Sequence, residues 1–254
     1  SFTTTASALS EGILWDFKGS HPANDLMAYY GFPESIFPPV HPLFSDHGTI
    51  TTAVASELGL GNHVKVTYKA GDQPNNAYSL GVLQPGDIAT TAGTSGVVYG
   101  ISDELKFDKE NRVNSFAHVN HSAAKTSVGV LMCINGTGIL NRWVKQNFFS
   151  SLSYSQMNDL GAKATIGTNG LVCMPFGNGA ERIFQNQTLG GSFQHVDFNR
   201  HQSADIIRAA QEGIAFSMVY GIELLGNVGV KPKKLKAGLA NMYLSDLFTQ
   251  AIVN

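Results

Sequence analysis

The chain has 254 residues, of which 43% are hydrophobic and 14% charged, so it can bury a sizeable core and is not typical of disordered chains. Seventeen basic against 19 acidic residues give a formal net charge of −2, which argues against nucleic acid as the main partner. Two cysteines, Cys133 and Cys173, cannot build a disulfide framework and fit a reducing cytosol. Since we also find no signal-peptide pattern and no run of about 20 apolar residues, we expect a cytoplasmic protein.

Hydrophobic periodicity alternates between strand and helix spacing along the chain, which is typical of an α/β protein. Strands are predicted over 12–17, 63–68, both arms of a hairpin within 87–100, 113–120, 127–133, 171–176 and 235–238. Helices are predicted over 24–30, 49–58, 75–83, 137–147, 154–162, 203–225 and 242–253. The composition becomes β-branched and glycine-rich after Pro85-Gly86, which predicts a domain boundary there.

A carboxylate lies between a predicted strand and a predicted helix, in Ala70-Gly71-Asp72-Gln73. Open α/β sheets place ligand-binding groups at such strand exits, so Asp72 could act as a general base toward a hydroxyl. The alternative is an N-cap aspartate that only satisfies helix donors, and the spacing alone favours that alternative.

Three junctions between predicted elements consist of small residues, and each can bring backbone N–H groups close to an anion. They are Thr90–Gly96, Ile134–Gly138 and Ala237–Asn241. None is a Walker A loop, and the first alone is better explained as an ordinary hairpin turn. Together with Asp72, the three junctions suggest a nucleotide held by backbone groups.

The pair His118 and His121 has metal-ligand spacing, but no third ligand is indicated nearby, which favours a structural role. Cys133 and Cys173 lie in apolar strand patterns and are interpreted as core thiols. We therefore assign no metal ligand in this chain.

Five segments, taken in chain order, resemble the FGGY family of carbohydrate kinases. Residues 70–77 resemble its Gly-Asp-Gln/Asn segment, 91–96 its phosphate hairpin, and 136–138 the helix start that contacts the nucleotide. Residues 207–216 resemble its Arg-Ala-x-x-Glu-Gly-x-Ala-Phe helix, and 237–241 its adenine-side glycine turn. The segments keep the family's order and span nearly the whole chain.

The resemblance implies an actin-like ATPase (ribonuclease H-like) fold that comprises the end of domain I and most of domain II. Residues 1–86 would be the C-terminal portion of the sugar-binding N-terminal domain, and 87–254 a truncated nucleotide-binding C-terminal domain. Asp72 would be the general base, Asp72 and Gln73 would bind the sugar, and the nucleotide would be bound by Gly93, Thr94, Ser95, Gly138, Gly238 and Asn241.

The implied activity is ATP- and Mg2+-dependent phosphorylation of a ketopentose. Residues 10–17, 116–121 and 133–140 are most similar to xylulokinases, which makes D-xylulose, converted to D-xylulose 5-phosphate, the first expectation. A sibling substrate such as ribulose, gluconate or glycerol is the nearest alternative, and a catalytically incomplete nucleotide- or sugar-binding fragment is another. The expected partners are a small-molecule sugar and ATP; no nucleic acid or membrane partner is expected, and a homodimer stays open.

The chain departs from the family at three points. The adenine-side turn has one glycine, Gly238, where most members have two or three, and His195 occupies a position that is usually glycine. The Asp-x-Gly-Thr phosphate loop that opens the N-terminal half of family members is not found at the start of this chain. We therefore expect the central piece of a longer kinase, and we expect the isolated 254-residue chain to be inactive.

Overall fold

The computed structural model describes residues 2–254, and their first part forms short helices and a small hairpin. The helices are α1 (Ala6–Glu11), α2 (Asn24–Tyr29), α3 (Thr52–Leu58) and α4 (Asp72–Ser79), and the hairpin pairs β1 (Trp15–Asp16) with β2 (His21–Pro22). The helices predicted over 24–30, 49–58 and 75–83 are confirmed with shifted ends. Helix α1 was not predicted.

The strand predicted over 63–68 is wrong. This segment lies beside residues 47–50 and forms one isolated bridge, between Thr49 and Lys65. Gly48 at φ +100° bends the partner segment, so the two stretches share a few backbone hydrogen bonds but no continuous ladder.

The elements after Gly86 form a sheet with helices packed on it. They are β3 (Asp87–Ala92), β4 (Gly96–Ser102), β5 (Asn114–Ala117), β6 (Val128–Ile134), α5 (Gly138–Phe148), α6 (Tyr154–Gly161), β7 (Val172–Phe176), β8 (Gly190–Gln194), α7 (Ser203–Gly226), β9 (Lys234–Ala237) and α8 (Asp246–Val253). The five-stranded sheet has the order β5-β6-β4-β3-β9, in which only the β3–β9 pair is parallel. A separate two-stranded sheet pairs β7 with β8, and β8 was not predicted.

Helix α7 supports the second part of the molecule from its centre. Its apolar side chains Ala210, Ile214 and Met218 are fully buried, as its periodicity predicts. It packs against β7, α6, α8 and the main sheet. The predicted helix over 242–253 is instead a 3-10 turn, Asn241–Leu244, followed by α8, because the Ser245 hydroxyl accepts the Phe248 N–H and starts a new helix.

Polar residues of α7 tie this helix to the loop that follows α6. Arg208 and Glu212 form a buried ion pair, with Nε and Oε1 2.7 Å apart. The Arg208 guanidinium donates to the Ala164 carbonyl, and the Glu212 carboxylate accepts the Gly167 N–H. The charges of the pair are thus compensated and its remaining hydrogen-bonding groups are used to order the loop.

The two histidines of the HxxH spacing lie beside the main sheet. The ring nitrogens of His118 bind the Tyr99 hydroxyl and the Val82 carbonyl oxygen, at 3.0 Å each. Burial lowers the pKa of His118 to about 4, so the ring is neutral at pH 7. These contacts agree with the structural role expected for His118.

His195 explains one departure noted in the sequence. It has a φ of +61°, in the left-handed region where glycine is favoured, and it follows the end of β8. The position that is usually glycine in the resembling family therefore keeps the backbone conformation that favours glycine.

None of the helices within residues 2–254 is long and apolar enough to cross a membrane.

The contact between α7 and β7 generates a stability prediction. A Cβ added to Gly213 would collide with the Cys173 carbonyl oxygen, whereas Gly226, at the end of the same helix, has no atom within 4 Å of such a Cβ. We expect Gly213→Ala to lower the free energy of unfolding by about 1–3 kcal/mol, because the backbone of β7 would have to shift to make room for the extra methyl group. Gly226→Ala is the matched control and should leave stability unchanged or slightly raised. Equal melting temperatures of the two variants would contradict the close-packing argument.

Candidate functional site

The hairpin between β3 and β4 is fixed against the start of α5. The Gly138 N–H donates to the Gly93 carbonyl at 2.8 Å, and the Ile139 N–H donates to the Thr94 carbonyl at 3.3 Å. The Thr137 hydroxyl lies 2.9 Å from the Gly93 oxygen and 3.0 Å from the Thr94 oxygen. The carbonyl groups of Gly93 and Thr94 therefore fix the hairpin tip against the start of α5.

Two glycines permit this contact. A Cβ on Gly138 would collide with the Gly93 carbonyl oxygen. Gly136 has a φ of +90°, and a Cβ there would collide with the Pro175 carbonyl oxygen. The small residues of 134–138 are thus required by close backbone approach.

The N–H groups at the hairpin tip are free. Within residues 2–254, the backbone nitrogens of Gly93, Thr94 and Ser95 donate to no acceptor. Consecutive free N–H groups in a turn form a concavity that suits anions such as phosphate. The hairpin thus combines fixed carbonyls with available donors.

A cleft of about 360 Å3 opens beside the hairpin. Its walls come from the hairpin, α5, α6 and the segment after β9. The lining residues are Ala92, Gly93, Thr94, Gly138, Ile139, Asn141, Arg142, Tyr154, Asn158, Asn241, Met242, Leu244 and Ser245. Four of the six predicted nucleotide residues, Gly93, Thr94, Gly138 and Asn241, therefore line one cleft.

The other two predicted nucleotide residues do not line this cleft. The Ser95 hydroxyl donates to the Asn135 side chain at 3.2 Å. Gly238 lines a separate hollow of about 250 Å3 beside Tyr243 and α8. The left-handed residue of that turn is Asn241, with φ +55°, a conformation that asparagine tolerates better than most residues.

Sequence reasoning missed the polar residues that complete the cleft. Asn141 and Arg142 lie one turn beyond Gly138 on α5, and helix spacing from Gly138 could have indicated them. The Arg142 guanidinium makes no ion pair with any residue in 2–254, so its charge is available to an anionic ligand. The Asn141 Oδ1 is buried without a partner among the same residues.

A buried glutamine holds two walls of the cleft together. The Gln211 side chain on α7 is fully buried, donates to Asn158 on α6 and accepts from the Ser245 hydroxyl, both at 2.8 Å. Asn158 and Ser245 both line the cleft. Helix α7 therefore fixes the cleft walls that contain Asn158 and Ser245 relative to each other.

Asp72 is the first residue of α4, after Gly71 at the cap position. Its side chain is exposed and does not cap the helix, so the alternative role as an N-cap is wrong. The donors of this helix end are satisfied from α1, because the Gly71 N–H donates to the Ser7 hydroxyl and the Gln73 N–H to the Glu11 carboxylate. The Asp72 carboxylate is therefore not used to cap its own helix.

The two cysteine thiols are poor nucleophiles. Burial raises the pKa of the Cys173 thiol to about 12 and also raises that of Cys133. Among residues 2–254, no group of three or more His, Cys, Asp or Glu side chains is placed to hold a metal ion. A cation in this cleft would need other ligands, such as phosphate oxygens.

Comparisons with known proteins agree on one family. The family model "FGGY family of carbohydrate kinases, C-terminal domain" matches residues 88–238. The xylulose kinase of Staphylococcus epidermidis is 31% identical over 196 residues, which are 76% of this chain and 38% of that protein. The chain thus spans about two fifths of the length of this curated relative.

Solved structures share the fold. The xylulose kinase from Rhodospirillum rubrum has a TM-score of 0.86 at 23% identity, covering 98% of this chain and 49% of that one. The gluconate kinase from Lactobacillus acidophilus has a TM-score of 0.83 at 22% identity, covering 99% and 50%. The chain therefore has the actin-like ATPase fold of these kinases and belongs to the FGGY family of carbohydrate kinases.

Proposed function

We propose that the complete gene product transfers the γ-phosphoryl group of ATP to a hydroxyl of a ketopentose, with D-xylulose as substrate and D-xylulose 5-phosphate as product. The observation that carries this proposal is the β3–β4 hairpin, whose free N–H groups lie at a cleft that Arg142 and Asn241 also line. The xylulose kinase relatives support the choice of sugar.

In this proposal, the sugar and the nucleotide are bound by different parts of the chain. Residues 1–86 belong to the sugar-binding domain, with Asp72 and Gln73 toward the sugar. Residues 87–254 belong to the nucleotide-binding domain, in which Gly93, Thr94, Ser95, Gly138 and Asn241 bind the nucleotide and Gly238 lies near it. The free cysteines support a cytoplasmic location.

In the proposed mechanism, the Asp72 carboxylate accepts the proton of the sugar hydroxyl. The hydroxyl oxygen then forms a bond to the γ-phosphorus as the bond from that phosphorus to the β–γ bridging oxygen breaks, and ADP leaves. The hairpin N–H groups and Arg142 stabilise the phosphate charge and align it. When bound, Mg2+ neutralises phosphate charge, and we assign it no protein ligand in this chain.

A sibling substrate is the second candidate, because the gluconate kinase structure has nearly the same similarity to this chain. The test is an ADP-release assay of the complete gene product with D-xylulose, D-ribulose, L-ribulose, gluconate and glycerol, beside the 254-residue chain. We expect turnover with D-xylulose alone and a silent short chain. Turnover with another polyol would reassign the substrate, and none with any polyol would overturn the kinase proposal in favour of a binding protein.

The role of Asp72 predicts the effect of Asp72→Asn. The amide cannot accept the hydroxyl proton, so kcat should fall by at least ~100-fold in the complete enzyme. Asp25→Asn is the matched control, because Asp25 is also an exposed carboxylate in the first turn of a short helix. Near-normal turnover of the Asp72 variant would remove Asp72 from the mechanism.

The phosphate hairpin predicts a different kinetic effect for Thr94→Ala. Loss of the hydroxyl beside the cleft should raise the KM for ATP several-fold and change the KM for the sugar less. Thr52→Ala, at an exposed position at the start of α3, is the control and should change neither constant. A larger effect on the sugar KM than on the ATP KM would contradict the assignment of the hairpin.

A further inference from the structure

The start of α4 is held by another helix. Its cap position is Gly71, which has no side chain to satisfy the first N–H groups. The Ser7 hydroxyl accepts the Gly71 N–H at 3.1 Å, and the Glu11 carboxylate accepts the Gln73 N–H at 3.0 Å. Ser7 and Glu11 are four residues apart on α1, so one helix face supplies both acceptors.

Helix α1 is itself fixed to the main sheet. The Ser10 hydroxyl donates to the Ser7 carbonyl at 2.7 Å and accepts the Ala117 N–H of β5 at 2.9 Å. The Thr5 hydroxyl caps α1 through the Ala8 N–H. A continuous set of hydrogen bonds therefore runs from β5 through α1 to the residue that follows Asp72.

The Glu11 carboxyl group lies directly against the α4 turn. A Cβ on Gly71 would be 2.5 Å from the Glu11 Cδ. Burial raises the pKa of Glu11; the Gln73 N–H opposes this effect, and the Asp72 carboxyl group, through hydrogen bonding and charge repulsion, adds to it. Two carboxyl groups thus share the start of one helix.

We propose that Glu11 is a positioning residue for Asp72, because it fixes the first turn of α4 through the Gln73 N–H. The proposal rests on the proposed function, in which Asp72 accepts the hydroxyl proton. The hydrogen bond to the next residue keeps the base in one orientation.

The other ionisable groups around Glu11 do not hold the start of α4. Tyr99 on β4 is buried, and burial together with the Glu11 charge raises its pKa well above the usual value. His118, bonded to the Tyr99 hydroxyl, has a pKa of about 4. Lys69, two residues before Gly71, binds Thr3 through its ammonium group. Among these groups, Glu11 is the one bonded to the first turn of α4.

The test compares Glu11→Gln and Glu11→Ala in the complete enzyme. The amide of Glu11→Gln keeps an oxygen that can accept the Gln73 N–H. We therefore expect this variant to reduce kcat only modestly. Glu11→Ala loses the hydrogen bond and should lower kcat at least ~10-fold, while the KM for ATP stays unchanged.

Glu57→Gln and Glu57→Ala are the matched controls, because Glu57 is an exposed glutamate on α3. If both Glu11 variants lower the melting temperature but leave kcat unchanged, Glu11 is only structural and the proposal is overturned. Full activity of Asp72→Asn would instead overturn the proposed function itself. A large kcat loss in Glu11→Ala that Glu11→Gln rescues, with an unchanged KM for ATP, would support the positioning role.

Discussion

The close backbone contact between the β3–β4 hairpin and the start of α5 is the constraint on which the cleft beside the hairpin depends. Two N–H groups and the Thr137 hydroxyl bind the carbonyl oxygens of Gly93 and Thr94, so the loop cannot turn its carbonyls toward the cleft. The free N–H groups at the tip are therefore prearranged, and ligand binding need not reorganise them. Any side chain larger than hydrogen at position 138 would break this arrangement.

Helix α7 holds other walls of the same cleft from the side of the core. Over one and a half turns it offers Arg208 and Glu212 to the loop after α6, Gln211 to Asn158 and Ser245, and Gly213 to the backbone of β7. Arg208, Glu212 and Gly213 belong to the segment 207–216 that resembles the family signature. These three residues are thus explained by packing, because each meets a different neighbour, and none of them touches the reacting groups in the proposed mechanism.

Much of this could be predicted from the sequence, for physical reasons. Helix α7 was predictable from its strong periodicity, and the hairpin and the start of α5 from their glycine-rich junctions, because helices and close backbone contacts have local sequence patterns. Three features have no such local pattern: the strand expected over 63–68 lacks a suitable partner, β8 pairs only with β7, and Ser245 divides the last helix. The cleft residue Asn158 also depends on tertiary packing, since it lies on α6 and reaches the cleft wall through its hydrogen bond with Gln211 of α7.

The start of α4 illustrates the same limit for Asp72, the proposed base. From the sequence, an aspartate at a helix start is better explained as a cap, and the structure reverses this because α1 supplies the caps from 64 and 62 residues away in the chain. A helix whose donors are satisfied by another element can leave its own first carboxylate exposed. Since α1 is bonded in turn to β5, the helix that begins at Asp72 is held by the same sheet whose β3–β4 hairpin bounds the cleft. In the proposed mechanism the base and the phosphate meet at one reacting oxygen, and a common support favours this because small errors in relative placement reduce phosphoryl transfer steeply.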